Sequence, residues 1–149
     1  ALKFIQSIRL ETQKDRIIPL VACGIWYFWI CYVWWNSNKM DDGLFIPLAA
    51  VKLALGIFLA SWMGLLFNIR MKISLHAISM GVLVAFILQL AFASTLNFGW
   101  YISITFLLAG LVATARMIVS DHRSVEIYAG LFVGIFAQWI AAGVVNIFF

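Results

Sequence analysis

The sequence predicts an all-α protein: a polytopic transmembrane helical bundle of about five spans. Three observations predict it. Only 11% of the 149 residues are charged, where a soluble domain carries about 25%. The mean hydropathy is +1.05. The apolar runs are continuous rather than alternating, which selects helices over barrel strands. A bilayer core needs roughly 20 apolar residues per spanning helix. Only helices and closed barrels can span it, because lipid offers no partner for a bare peptide group.

The opening "ALKFIQSI" reads as the last turns of a helix that starts upstream, or as a short interfacial helix. It lacks the basic–apolar–small pattern of a signal peptide, and the intact protein is expected to carry one more span before it. The first span runs over about 17–35 and is opened by Pro19, whose missing N–H costs nothing in a first turn. The second covers 44–67, again with an early proline, Pro47. The third covers 74–93, the fourth 99–118 and the fifth 123–148. The connections are short, so neighbouring spans are expected to pack antiparallel as one bundle, and residues 1–149 form a single domain without repeat, linker or low-complexity segment.

Trp34, Trp35, Trp100 and Tyr101 fall at span ends, where amphipathic rings prefer the interface. Gly56, Ala60 and Gly64 recur at four-residue spacing in the second span, as do Gly130 and Gly134 in the fifth. Such spacing lets helices approach closely, within one subunit or across a dimer seam; packing inside the subunit is the expectation. Cys23 and Cys31 share one apolar run and read as small buried hydrophobes.

Counting crossings sorts the charges. The 1–16 segment, the 68–73 loop and the 119–123 loop share one face, which collects Lys3, Arg9, Lys14, Arg16, Arg70, Lys72, Arg116 and Arg123. The opposite face has Lys39, and Lys52 can snorkel towards it. The positive-inside rule reads the first face as cytoplasmic, unless its cations bind substrate, in which case they are not topology signals. The net charge of +4 comes from these clusters. No extended basic surface lies outside the spans, which argues against a nucleic-acid partner.

Two polar knots stand on that first face, "RMKISLHAISMG" (70–81) and "ARMIVSDHRSVEIYAG" (115–130), and they hold both histidines of the chain, His76 and His122. Cations, Ser and His with few acids make a site for a polyanion, phosphate above all: Arg offers bidentate donors and Lys a point charge. Ser74 to His76 open the third span and Ser120 to His122 the fifth, and unpaired N–H groups at a helix start add to an anion site. A neutralised phosphate is what phosphoryl transfer needs. One imidazole can attack phosphorus while the other protonates the leaving oxygen. Glu126, four residues after His122 on the same helical face, can orient the attacking ring. The plainer readings are interfacial histidines, Glu126 as a partner for Arg123, and Arg70 as an interfacial anchor.

These residues resemble the type-2 phosphatidic-acid phosphatase superfamily. Its third signature, S-R-x5-H-x3-D, corresponds to Ala115, Arg116, His122 and Glu126, with spacing kept, Ala for Ser and Glu for Asp. Its second signature, P-S-G-H, corresponds to Ile73, Ser74, Leu75 and His76, with Pro and Gly lost. Both signatures open spans separated by one intervening helix, and the resemblance covers roughly residues 68–135. The first signature, K-x6-R-P, has no clean match; Lys72 is the first candidate for its lysine, and "QKDRIIP" (13–19), with Lys14 and Arg16, is the other source of its cations.

The resemblance implies a membrane-embedded lipid phosphatase that hydrolyses a phosphomonoester or diphosphate of a lipid. His122 would be the nucleophile that forms a phosphohistidine, Glu126 its orienting group, and His76 the general acid. Arg116, Lys72 and Ser74 would hold the phosphate, with Arg16 and Arg70 as further cations on that face. No metal and no cofactor are implied, and two histidines without a carboxylate cluster would make a poor hard-cation site. The expected partners are the lipid substrate and membrane lipids, and the expected setting is a bacterial inner membrane. Two rivals are a redox subunit in which His76 and His122 ligate haem, and a non-catalytic lipid-phosphate-binding or transport relative.

Overall fold

The structure is a computed structural model that describes residues 17–37, 46–119 and 123–149. Among them are five helices: α1 (Ile17–Ser37), α2 (Leu48–Asn68), α3 (Leu75–Ala93), α4 (Gly99–Val119) and α5 (Ser124–Phe148). Each is long and apolar enough to cross a bilayer. The large side chains that face outward, such as Trp26, Phe106, Leu107, Phe132 and Trp139, are apolar, a surface suited to lipid rather than water. The protein is an all-α integral membrane protein.

The helices fall close to the predicted spans, with one shift of physical interest. α2 begins at Leu48 rather than at 44. Pro47 stands at its N-cap with φ −55° and ψ 134°, and its carbonyl accepts from the Ala50 and Val51 N–H groups at 2.8 and 3.3 Å. A proline disfavours the α conformation of the residue before it, so the helix cannot extend back through Ile46.

The expectation that sequence neighbours pack together holds for α1 on α2, α2 on α3 and α3 on α4, but α4 and α5 barely touch. The most extensive packing joins α3 to α5, and the next α2 to α5. α5 threads back into the middle and leaves α4 at the edge, against α3. α3 and α5 both start at the cationic end, so the central pair is parallel, with α2 antiparallel to both.

Small residues make that centre. A Cβ built at Gly134 would overlap the Ile78 carbonyl oxygen and stand 2.8 Å from the Val82 nitrogen; one at Gly81 would overlap the Leu131 carbonyl. One at Gly130 would lie 2.8 Å from the Ser74 carbonyl oxygen and 2.9 Å from the Ala77 Cβ. The α3 and α5 backbones are therefore in contact, the close approach that small residues permit. Gly56 of α2 faces Gln138 of α5, while Gly64 faces Ile78 and Leu75 of α3. The small-residue spacing thus serves packing inside the subunit. Around it Ala60, Ile73, Ile78, Val82, Val133 and Ala137 form a buried apolar cluster.

At the far end Trp35 meets Phe148 and Phe149 edge-on, with ring centroids 5.7 and 5.0 Å apart. Trp100 and Tyr101 are exposed in the first turn of α4, as expected of interface rings. Lys52 is half-buried in the second turn of α2, near the same end.

The seam predicts a contrast between glycines. Gly134→Ala forces two backbones apart and should destabilise by about 1–3 kcal/mol. A Cβ at Gly110 would meet nothing within 4 Å, so Gly110→Ala should be neutral or stabilising by up to about 1 kcal/mol. Thermal unfolding in detergent micelles checks both.

Candidate functional site

The turn from α2 to α3 is anchored from within. α2 winds down through N–H bonds from Arg70 and Met71 to the Phe67 carbonyl, both 3.0 Å. The Ile73 N–H then donates to the Met71 carbonyl at 2.8 Å, which sets Lys72 at the apex of a γ-type turn. Ile73 itself is fully buried in the core cluster. Burying Ile73 and lifting Lys72 to the apex are two consequences of one local geometry.

Ser74 follows, fully buried, and is the N-cap of α3: its Oγ accepts from the Ala77 N–H at 3.5 Å. Its own N–H donates to the Glu126 carbonyl at 3.4 Å, and its carbonyl accepts from Ile78 at 3.1 Å. The starts of α3 and α5 are thereby tied together at backbone level.

α5 has a one-sided capping box. The Glu126 Oε2 accepts from the Arg123 N–H at 3.1 Å, while the return contact is backbone to backbone, Glu126 N–H to the Arg123 carbonyl at 2.9 Å. An arginine side chain has no acceptor to offer. The α4 end comes alongside through Ser124, whose Oγ lies 3.9 Å from the Met117 sulfur. Arg116, adjacent to Met117, is in the last turn of α4.

Arg70, Lys72, Ser74, His76, Arg116 and Glu126 therefore all belong to one end of the bundle, delivered by α2, α3, α4 and α5. His76 is exposed as the second residue of α3, Arg70 is exposed just beyond α2, and Lys72, Arg116 and Glu126 are half-buried or exposed beside them. Ser74 differs: it is fully buried and its hydroxyl works as a helix cap. Leu75, at the position of the signature's glycine, turns towards Gly64 of α2, its Cδ2 3.6 Å from where a Cβ would stand. Its bulk enters an apolar cleft instead of crowding the cationic end. His122 and Arg16 lie outside the described residues, as does Lys14. Among the described residues no three His, Cys, Asp or Glu side chains are grouped to hold a metal ion.

Three amides, two of them buried, escape the motif-based reading of the sequence. Asn68 is 2% exposed at the α2 end beneath the knots. Deeper, the Gln138 Nε2 donates to the Gln89 Oε1 at 3.0 Å, and the Gln89 Nε2 donates to the Gln138 carbonyl at 3.2 Å. The Gln138 Oε1 sits in the space left by Gly56, with no hydrogen-bond donor among the described residues. A signal for them does exist in the sequence: an amide inside an apolar span is expensive unless paired across helices, so two glutamines in two spans mark a candidate contact.

Comparison with known proteins returns no family model, no curated protein and no solved structure that matches this chain.

The capping role of Glu126 can be separated from any role in catalysis by stability alone. Glu126→Ala removes both the acceptor and the charge beside the α5 start, and should cost about 1 kcal/mol. Glu126→Gln keeps an acceptor and loses only the favourable charge at the helix N-terminus, about 0.3–1 kcal/mol. The expected order of melting temperature is wild type, then Gln, then Ala.

Proposed function

We propose that this protein is a metal-independent lipid phosphatase of a bacterial inner membrane, acting on a phosphomonoester or diphosphate whose tail stays in the bilayer. The observation that carries the reading is the tie between the α3 and α5 starts. Ser74 donates to the Glu126 carbonyl and Gly130 presses on Ser74, so the segments resembling the two signatures share one end and one depth. Lys72, Arg70 and Arg116 supply cations at that end.

In this reading Lys72, Arg70 and Arg116 neutralise the phosphate, with Arg16 as a further cation. Ser74 acts from behind, by fixing the α3 start that carries His76. An imidazole nitrogen of His122 attacks phosphorus. The bond from phosphorus to the lipid oxygen breaks, and His76 gives that oxygen its proton. Water then attacks the phosphohistidine, surrenders a proton to His76 and releases phosphate. Glu126 holds the far nitrogen of His122 and stabilises the imidazolium. One carboxylate can do this while capping α5, because its two oxygens offer about four lone-pair sites.

The test is phosphate release from detergent-solubilised protein over a panel of phosphatidic acid, phosphatidylglycerol phosphate, polyprenyl diphosphate and lipid A phosphate, with chelator present. Turnover of at least one lipid is expected. His122→Ala should abolish it and form no phosphoenzyme. His76→Ala should lose about 10²–10⁴-fold. A panel without turnover, or a His122→Ala variant of near-normal kcat, ends the reading.

Glu126→Gln and Arg123→Ala sharpen the assignment. An orienting Glu126 predicts a sharp fall in kcat for Glu126→Gln with lipid binding little changed. A surface partner of Arg123, worth about 0.3–0.5 kcal/mol at helical spacing, predicts matched and mild effects of the two substitutions on kcat.

A further inference from the structure

α1, α2 and α3 leave a cleft of about 540 Å³ between them. Its walls include Leu20 and Cys23 of α1, Leu53 and Ile57 of α2, and Met80 and Leu83 of α3. Two serines also line it, but the Ser61 Oγ donates to the Phe58 carbonyl at 2.8 Å and the Ser79 Oγ to the Leu75 carbonyl at 3.1 Å. Their hydroxyls are occupied by their own helices, and apart from the Tyr27 phenol of α1 the cleft offers an occupant a mainly apolar wall.

Its depth is informative. The α3 wall extends from Leu75 to Leu83, about 12 Å of helix axis at 1.5 Å per residue. Half of a hydrocarbon core is about 15 Å. On α3 the cleft therefore runs from the cationic end to near the bilayer middle, while on α2 its lining continues past the middle to Leu53. A slot of this length with a mainly apolar lining suits a hydrocarbon chain.

The shallow end meets the polar knot. His76 shares one face of α3 with Met80 and Leu83, at spacings of four and seven residues. The wall of the cleft thus continues onto the exposed His76, with Lys72 at the turn just before α3. Cations at the rim of an apolar slot complement an anionic head group above a single chain.

We infer that the cleft between α1, α2 and α3 seats one hydrocarbon chain of an anionic lipid whose phosphate lies at Lys72 and His76. The inference deepens the phosphatase reading and rests on it for the identity of the head group. Leu83, at the end of the α3 wall, and Leu53, deeper on α2, line the floor of the cleft.

Photo-crosslinking tests this without relying on turnover. The full chain in detergent micelles is given phosphatidic acid with a diazirine at the end of one long acyl chain, and adducts are located by mass spectrometry. Adducts are expected at the floor, on Leu53 and Leu83. Excess unlabelled phosphatidic acid should remove them, and diacylglycerol, which lacks the phosphate, should not. Leu83→Trp and Leu53→Trp fill the floor from two different helices, and each should lower long-chain labelling roughly tenfold. A probe with a short chain should label Met80 or Cys23 in both variants as in wild type, which also reports that the variants are folded. Adducts spread over the outward face of α4, at Leu107 and Leu111, and indifferent to competitor and variants, would overturn the inference. So would equal competition by diacylglycerol. Floor adducts without phosphate release from any lipid would keep the cleft and remove the phosphatase. Phosphate release with no floor adducts and no effect of Leu83→Trp would keep the phosphatase and remove the cleft.

Discussion

The rest of the molecule depends on the backbone contact between α3 and α5. Gly81 lies on the Leu131 carbonyl and Gly134 on the Ile78 carbonyl, so the two helices are registered by main-chain atoms rather than by deformable side chains. Dispersion contacts are individually small, but at this distance they extend along most of both helices. Because the pair is parallel, one registration sets both helix starts at the same level. Ser74 then reaches the Glu126 carbonyl, and two polar segments about fifty residues apart become neighbours.

The membrane dictates how the remaining polar groups are handled. With no water in the hydrocarbon region, each must find a partner inside the protein. Hydroxyls do so locally: Ser103, Thr105 and Thr114 donate to the carbonyls of Gly99, Tyr101 and Gly110 at 2.9, 2.7 and 2.8 Å. Amides are too demanding for that and pair across helices, as Gln89 and Gln138 do. Such pairs contribute only about 0.6 kcal/mol on average in a measured membrane protein. Their larger effect is selective: a slip of α3 along α5 would leave an amide unpaired in an apolar core, at a cost well above the value of the bond.

At the cationic end polar residues have structural work to do. Ser74 closes the α3 N-terminus from a fully buried position, and Glu126 closes that of α5. Residues required to end a helix are the ones best fixed in place, which suits them to hold or support a reacting group. Leu75 shows the converse. At the start of α3 its side chain turns away from the cationic end into the α1–α2–α3 cleft.

The sequence by itself determined the class of structure and, to within a few residues, the ends of its helices. Continuous apolar runs of spanning length admit no other solution in lipid, and prolines mark starts for reasons confined to one or two residues. Hydropathy pattern places Pro47 inside α2, whereas sterics set it just before the helix, a difference that the dipeptide rule alone contains. The sequence also located the candidate site to one end of the bundle, because counting crossings needs no knowledge of packing. Tertiary structure alone decided which helices touch. Antiparallel neighbours are an inference from loop length, whereas α5 packs on α3 and α2 because its glycines and alanines match theirs, a complementarity between surfaces that no single segment displays. The same holds for Ser74, which reads as a surface ligand from its companions and proves to be a buried cap, and for the cleft, which belongs to three helices at once and to none of their sequences.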